Sequence, residues 1–490
     1  MESTSLTKNR IIAELTRSPH GSLKEYLPIG QQAATQEPEF FAHLIAWDAS
    51  RGQVRDAKVA LPVVSLTCAS FPEELADNSY AHIAKLNPRE LLKAYRFGLE
   101  TKLPTRMRRL RALVSMYLSQ LESTGHWERV ALQHRRVMKE LYALTHSKPS
   151  SFADEVLFKN NYANASLFQS VSRLKDMSVD EAAGTIFEKK LPFLVALGAL
   201  GKKAKETNLV LALISRMTPT ELVTNTKMLE RLGVKTNPAL RGAFEQALKK
   251  AASSKANVLK TSRAAEQIED AELKAKLQGV QEKQLTNMSV EGNWLVLADK
   301  SGSMLHAIET ARHISATLAK LVKGTIWLVF FDTTPQAIDV TSMSLDVIRD
   351  ITRYVQAAGG TSIGCGLNWM LESKKEVDGI AIVSDGCENS APSFWNVYQK
   401  YSELFGKEVP VYLYQLRGDD PRWRQEFLRG HDVQVFDLEG NLDYYSLPNL
   451  VSTMRTNRYS LVDEIMSTKL LKLNEVLRLA KEVKNKHVSA

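Results

Sequence analysis

Hydrophobic positions along the chain follow two different periods, and the change falls between residues 270 and 290. Before it the pattern is helical. In "IAKLNPRELLKAYRFGLE", Leu91, Leu92, Tyr95 and Leu99 recur at helical spacing, with Asn87 and Pro88 as cap and first-turn residue. In "RMRRLRALVSMYLSQLE", Leu110, Leu113, Val114, Tyr117, Leu118 and Leu121 form one stripe. Most of its arginines fall off that stripe and are expected to face water or a ligand. Ser178 and Glu181 make a capping box, and Thr218 with Pro219 opens a further helix. The helices follow one another at short intervals with no fixed sequence period. That predicts antiparallel helical pairs stacked as a divergent solenoid.

Beyond residue 290 the runs "NWLVLAD", "TIWLVFFD", "GIAIVSD", "VPVYLYQL" and "VQVFDL" are apolar and of strand length. Helical patterns separate them. Strands apolar on both faces and alternating with helices predict a parallel sheet covered on both sides, a doubly wound α/β domain. Its ligand site is then expected beyond the carboxyl ends of the strands. The last stretch, "YSLVDEIMSTKLLKLNEVLRLAKEVKNK", reads as one amphipathic, increasingly basic helix. The expected division is 1–285 helical, 286–455 α/β and 456–490 C-terminal helix.

Composition changes this picture little. Apolar residues at 44% and charged residues at 24% suit an ordinary globular protein. The longest apolar run, "LPFLVALGALG", is too short to span a bilayer, and "MESTSLTKNR" is polar, so a cytoplasmic protein without a membrane partner is expected. Three cysteines, Cys68, Cys365 and Cys387, form no CxxC pair, which argues against a disulfide framework or a zinc ribbon. Charge is more informative. Residues 1–284 hold 42 Lys+Arg against 30 Asp+Glu, so the net +9 of the chain belongs to the helical part. From Arg89 to Lys139 there are 12 Lys+Arg and 4 Asp+Glu. Such a field favours polyanions, most often nucleic acid, although a solvated basic helix face reads the same way.

The candidate chemistry lies at the strand ends. "LVLADKSGSM" closes a strand on Asp299 and follows it with Ser301 and Ser303; alternation points both hydroxyls one way, and Gly302 permits the tight turn. "GIAIVSDG" ends on a second carboxylate, Asp385, and "AAGGTSIG" brings Thr361 to a glycine-rich turn. Two carboxylates and three hydroxyls on one sheet edge suit a hard divalent cation, Mg²⁺ first, with Mn²⁺ and Ca²⁺ as the other choices. A bland reading makes Asp299 only a cap for the next helix. Asp299, Ser301, Ser303, Thr361 and Asp385 together resemble the metal-ion-dependent adhesion site of the von Willebrand factor A domain. The resemblance implies that the hydroxyls bind the metal directly, the aspartates partly through water, and that an open position accepts an acidic group from a partner.

"GTSIG" also fits the G-x-S-x-G nucleophile elbow at Ser362, and Asp385 and His431 follow in hydrolase order. An elbow needs a strand before it, whereas "LDVIRDITRYVQAA" reads as a helix. No Walker A loop, HExxH or strand-linked G-x-G-x-x-G accompanies it, so no enzyme activity is expected.

A basic helical domain ahead of such an α/β domain is similar to the Ro ribonucleoprotein (TROVE-domain) family. "RMTPTELVTNTKMLERLGV", "NPALRGAFEQALKKAASSKANVLKTSRAAE" and "ALQHRRVMKELYALTHSKPS" carry the resemblance. It implies a ring of HEAT-like helical repeats closed by the A domain. It further implies binding of single-stranded RNA ends and of small structured non-coding (Y-like) RNA, and tethering of an exoribonuclease for RNA quality control. The expected phosphate contacts are Arg106, Arg108, Arg109, Arg111, Arg135, Arg136 and Lys139, with Tyr117, Trp127 and Tyr142 as stacking aromatics. The competing expectation is a metal-dependent adaptor that binds an acidic protein ligand and no RNA.

Overall fold

The computed structural model describes residues 22–51, 55–103, 106–252, 271–287, 290–306, 308–416, 433–437 and 458–478, with isolated residues at 8, 11, 12, 15, 261, 264, 265, 267, 268, 270, 427 and 431. The chain forms two compact units. One comprises Met1–Ala33, Trp47–Lys58 and Leu285–Thr468; the other comprises Ala34–Ala46, Val59–Gln284 and Lys469–Ala490.

The second unit is helical. Asn87 accepts from the amides of Arg89 and Glu90 ahead of the helix Pro88–Glu100. Reciprocal capping boxes at Ser178–Glu181 and Thr218–Glu221 start the helices Val179–Glu188 and Pro219–Thr224. Side-chain oxygens thus satisfy amides that the first helical turn leaves open. Successive helices pack in alternation, Pro88–Glu100 on Trp127–Thr145 and Val179–Glu188 on Thr207–Arg216. The C-terminal segment is not one helix. Arg458–Ser467 is helical, residues 468–472 are not, and helix resumes over 473–478. The break has a cause in the helical unit: the amide of Leu471 donates to Asn78 Oδ1 at 2.9 Å and that of Leu473 to Asp77 Oδ2 at 2.8 Å. Amides spent on side chains of another helix are not free to continue their own.

His82, on the helix Glu73–Ala84, is buried, and its Nε2 has no partner among the described residues. Burial, aided by Lys85, pushes its imidazole down to about 4. The unfolded chain therefore takes up a proton near the ordinary value of 6.5 that the folded chain refuses until about pH 4. Stability is expected to be intact above pH 6.5 and lost as pH falls towards 4, by roughly 3 kcal/mol at the low end. His82→Phe should flatten that limb in a urea series from pH 7 to pH 4.

The first unit holds a six-stranded sheet. Its strands are β1 (Trp294–Asp299), β2 (Ile326–Phe331), β3 (Pro335–Asp339), β4 (Gly379–Ser384), β5 (Val411–Gln415) and β6 (Gln434–Asp437), in the order β3-β2-β1-β4-β5-β6. All neighbours are parallel except β2 and β3, so the sheet is mixed rather than wholly parallel. β3 escaped the apolar pattern because "PQAID" is a half-exposed edge that begins on proline, where a missing amide donor does least harm. β1 and β4 are buried along their whole length. The core over one face joins Leu295, Leu297, Val329, Ile363, Leu367, Ile382 and Phe394. Strand order reverses between β1 and β4, and at such a switch point the loops part and leave a crevice. No helix among the described residues is long and apolar enough to cross a membrane.

Candidate metal centre

Asp299 and Asp385 stand at the carboxyl ends of the two strands that flank the switch point. Register pairs Ala298 with Val383 across β1 and β4, which brings the two ends side by side. Asp299 is fully buried. Its Oδ1 accepts from the amide of Ser301 at 2.8 Å, and its Oδ2 accepts from the hydroxyl of Ser384. The amide of Gly386 donates in turn to Ser384 Oγ at 3.0 Å. Burial pushes the Asp299 carboxyl up to about 6 in spite of the Ser301 and Ser384 hydrogen bonds, and the Asp385 charge adds to the rise. Asp385 accepts from the amide of Cys387 at 2.9 Å through Oδ1, while Oδ2 is buried with no partner among the described residues.

The three candidate hydroxyls lie on the loops beside these strand ends. Ser301 and Ser303 Oγ lie 3.1 Å apart, with Ser301 buried and Ser303 exposed. Thr361 is buried and held through its backbone on both sides. Its amide donates to Asn389 Oδ1 at 2.9 Å, and its carbonyl accepts from Asn389 and Ser390 at 3.0 and 2.9 Å. Gly302 and the threonine loop meet directly, the amide of Gly302 donating to the carbonyl of Gly359 at 2.9 Å. Gly364 explains the glycine-rich spacing: a Cβ there would lie 2.4 Å from the Pro392 carbonyl. Among the described residues no group of three or more His, Cys, Asp or Glu side chains is placed to hold a metal. A cation here would therefore draw on the hydroxyls as well as the two carboxylates. A buried carboxylate oxygen with no partner among the described residues, beside a second carboxylate raised by burial, fits a divalent cation.

Ser362 does not behave as a nucleophile. It follows a loop rather than a strand, is fully buried, and donates its hydroxyl to the Pro392 carbonyl at 2.7 Å. His431 is engaged elsewhere, stacked on Trp395 with ring centroids 3.8 Å apart.

The basic set divides. Arg106 lies inside, not on the surface where helical spacing put it. Its guanidinium donates to the carbonyls of Ser65, Cys68 and Phe71 and to Glu73. Those carbonyls close the helix Arg55–Thr67 and the turn after it, groups that a helix C-terminus leaves unsatisfied and negative. Arg109 pairs with Glu73 and Asp77 beside the Tyr80 ring. Arg135 donates to the carbonyl of Val156 and to Asn160, over the rings of Tyr162 and Phe168. Lys139 lies over the Phe158 ring. Arg108, Arg111 and Arg136 are exposed and make no ion pair among the described residues. Trp127 and Tyr142 are core residues, the one against Phe152 and the other donating to Glu122, so neither offers a stacking face. Tyr117 is half-buried, its phenol pushed up to about 12 by burial. The exposed aromatics nearby are Phe152 and Phe158, whose rings rest on Trp127 and Tyr142.

No family model and no curated sequence matches the chain. An aerotolerance-related membrane protein from Bacteroides fragilis aligns with 34% of this chain and 98% of its own at 14% identity, TM-score 0.27. A von Willebrand factor type A structure from Catenulispora acidiphila aligns with 36% of this chain and 43% of its own at 12% identity, TM-score 0.25. The crystal structure of the Deinococcus radiodurans Ro (RSR) protein aligns with 92% of this chain and 99% of its own at 13% identity, TM-score 0.64. The chain thus shares the fold of a Ro protein.

Proposed function

We propose that this protein is the RNA-binding component of a ribonucleoprotein, with small structured, Y-like RNA and single-stranded RNA ends as its ligands. The observation that carries the reading is the unpaired charge at Arg108, Arg111 and Arg136, exposed in a stretch of 12 basic and 4 acidic residues. Surface arginines without carboxylate partners keep their full charge for phosphate oxygens. The Ro fold and the family resemblance of the sequence agree with it. Binding rather than catalysis is the role proposed, a scaffold to which an exoribonuclease is brought in RNA quality control.

Asp299, Ser301, Ser303, Thr361 and Asp385 would hold a divalent cation, Mg²⁺ before Mn²⁺ or Ca²⁺, in this reading. When bound, the cation supplies a Lewis-acidic position for an acidic group of a partner. Ser384 and the Ser301 amide orient Asp299, and Asn389 orients Thr361. The unpartnered Asp385 oxygen favours a second reading, a metal-dependent adaptor for an acidic protein. Retention on heparin and a raised 260:280 nm absorbance ratio in the purified protein would support the ribonucleoprotein. A protein free of nucleic acid that passes through heparin would favour the adaptor.

A further inference from the structure

We propose that Lys300 is a positioning residue for the cation site, fixing the threonine loop through Asp332; this rests on the metal reading above. The side chain is the second position of the D-K-S-G-S turn and is not one of the five candidate ligands. Its backbone is committed on both sides. The amide donates to the carbonyl of Phe331 at the end of β2, and the carbonyl accepts from the amide of Ala358, each at 2.8 Å. The Gly302 amide adds the third link, to the Gly359 carbonyl. The turn therefore bridges the end of β2 and the loop that carries Thr361.

The ammonium closes the same circuit. Lys300 Nζ pairs with Asp332 Oδ2, and the two side chains are only 14% and 15% exposed. Asp332 is held in place, since its other oxygen accepts from the amide and hydroxyl of Thr334 at 2.7 and 3.0 Å. Its carbonyl accepts the amide of Ser362, the residue after Thr361, at 2.7 Å. One ion pair thus ties the residue after Asp299 to the residue that anchors Thr361. Ligands on separate loops form a site only if the loops are held in register, and outer contacts of this kind set metal affinity.

Charge alone makes the opposite prediction. A lysine beside a dication site repels the ion, so removing it would tighten binding. Because Asp332 neutralises Lys300 at contact distance, the geometric effect is expected to dominate.

The test uses the full chain with Lys300→Met, Asp332→Asn and Lys300→Arg, each first checked for a wild-type circular-dichroism spectrum. Hydrogen exchange of the metal-free proteins reads the loop directly. Amides of Gly302, Ala358 and Ser362 should exchange at least about 10-fold faster in Lys300→Met and Asp332→Asn, with Lys300→Arg restoring protection. Titration with Mg²⁺ and Mn²⁺ should show affinity lowered by about 10- to 100-fold in the first two variants and near wild type in the third. Unchanged exchange, or tighter metal binding in Lys300→Met, would overturn the proposal. Wild-type protein that binds neither ion, with exchange responding as expected, would sink the metal reading and leave Lys300 as the anchor of the loop.

Discussion

Arg106→Met is expected to destabilise the helical unit by about 1–3 kcal/mol, the range for leaving a buried acceptor without its donor. The loss is large because the partners cannot follow the change. Ser65, Cys68 and Phe71 present carbonyls at the close of a helix and in the turn after it; those of Ser65 and Cys68 also accept the amides of Cys68 and Phe71 at 3.4 and 3.1 Å, so the Phe71 carbonyl loses most. Glu73, 68% exposed, would recover water and add little to the cost. Methionine fills most of the arginine's volume, so the measured change reports the lost donors more than a cavity. The thermal midpoint should fall by roughly 5 °C. Arg108→Met, on the exposed side of the same turn, should stay within about 0.5 kcal/mol of wild type. Equal melts for the two variants would show that Arg106 is not the internal clamp its hydrogen bonds describe.

Asp299→Asn is expected to separate metal binding from folding. Metal affinity should drop by at least about 100-fold, since outer-sphere changes alone cost up to that much. Metal-free stability at pH 7.5 should match or exceed that of wild type. The sign follows from the carboxyl at about 6 in the folded chain against its ordinary value of 3.8 in the unfolded one. The folded state holds its proton more tightly than the unfolded state, so stability declines as pH rises through 6 and the charged form is a burden above it. Asparagine keeps the shape, accepts from the Ser301 amide and removes the charge. Wild type should gain thermal stability on addition of Mg²⁺ and the variant should not. A variant that melts well below metal-free wild type would assign Asp299 a folding role instead.

Much of this was legible in the residues. β1, β2, β4 and β5 stand where doubly apolar runs put them, because burial on both faces leaves no polar alternation to blur the signal. The helix starts at Asn87, Ser178 and Thr218 were legible because capping is chemistry between residues three apart. Asp299 and Asp385 were legible as strand ends, and the parallel order placed them together. What escaped depends on distant partners. Arg106 precedes the first turn of its helix, outside the periodic stripe, and only the fold shows that it meets the end of another helix. Trp127 and Tyr142 read as stacking residues by type and proved to be core by packing. The break at 468–472 depends on Asp77 and Asn78, nearly four hundred residues earlier.

The central claim is RNA binding through unpaired surface arginines, and one titration tests it most directly. A small structured RNA with a single-stranded 3′ tail would be bound at equilibrium from about 50 to 200 mM salt, by wild type and by the Arg108→Gln, Arg111→Gln, Arg136→Gln triple variant. Tight binding by wild type with a steep salt slope is predicted, and the triple variant should bind more weakly with a slope shallower by about two to three. Weak wild-type binding indifferent to salt, or a triple variant that superimposes on wild type, would contradict it.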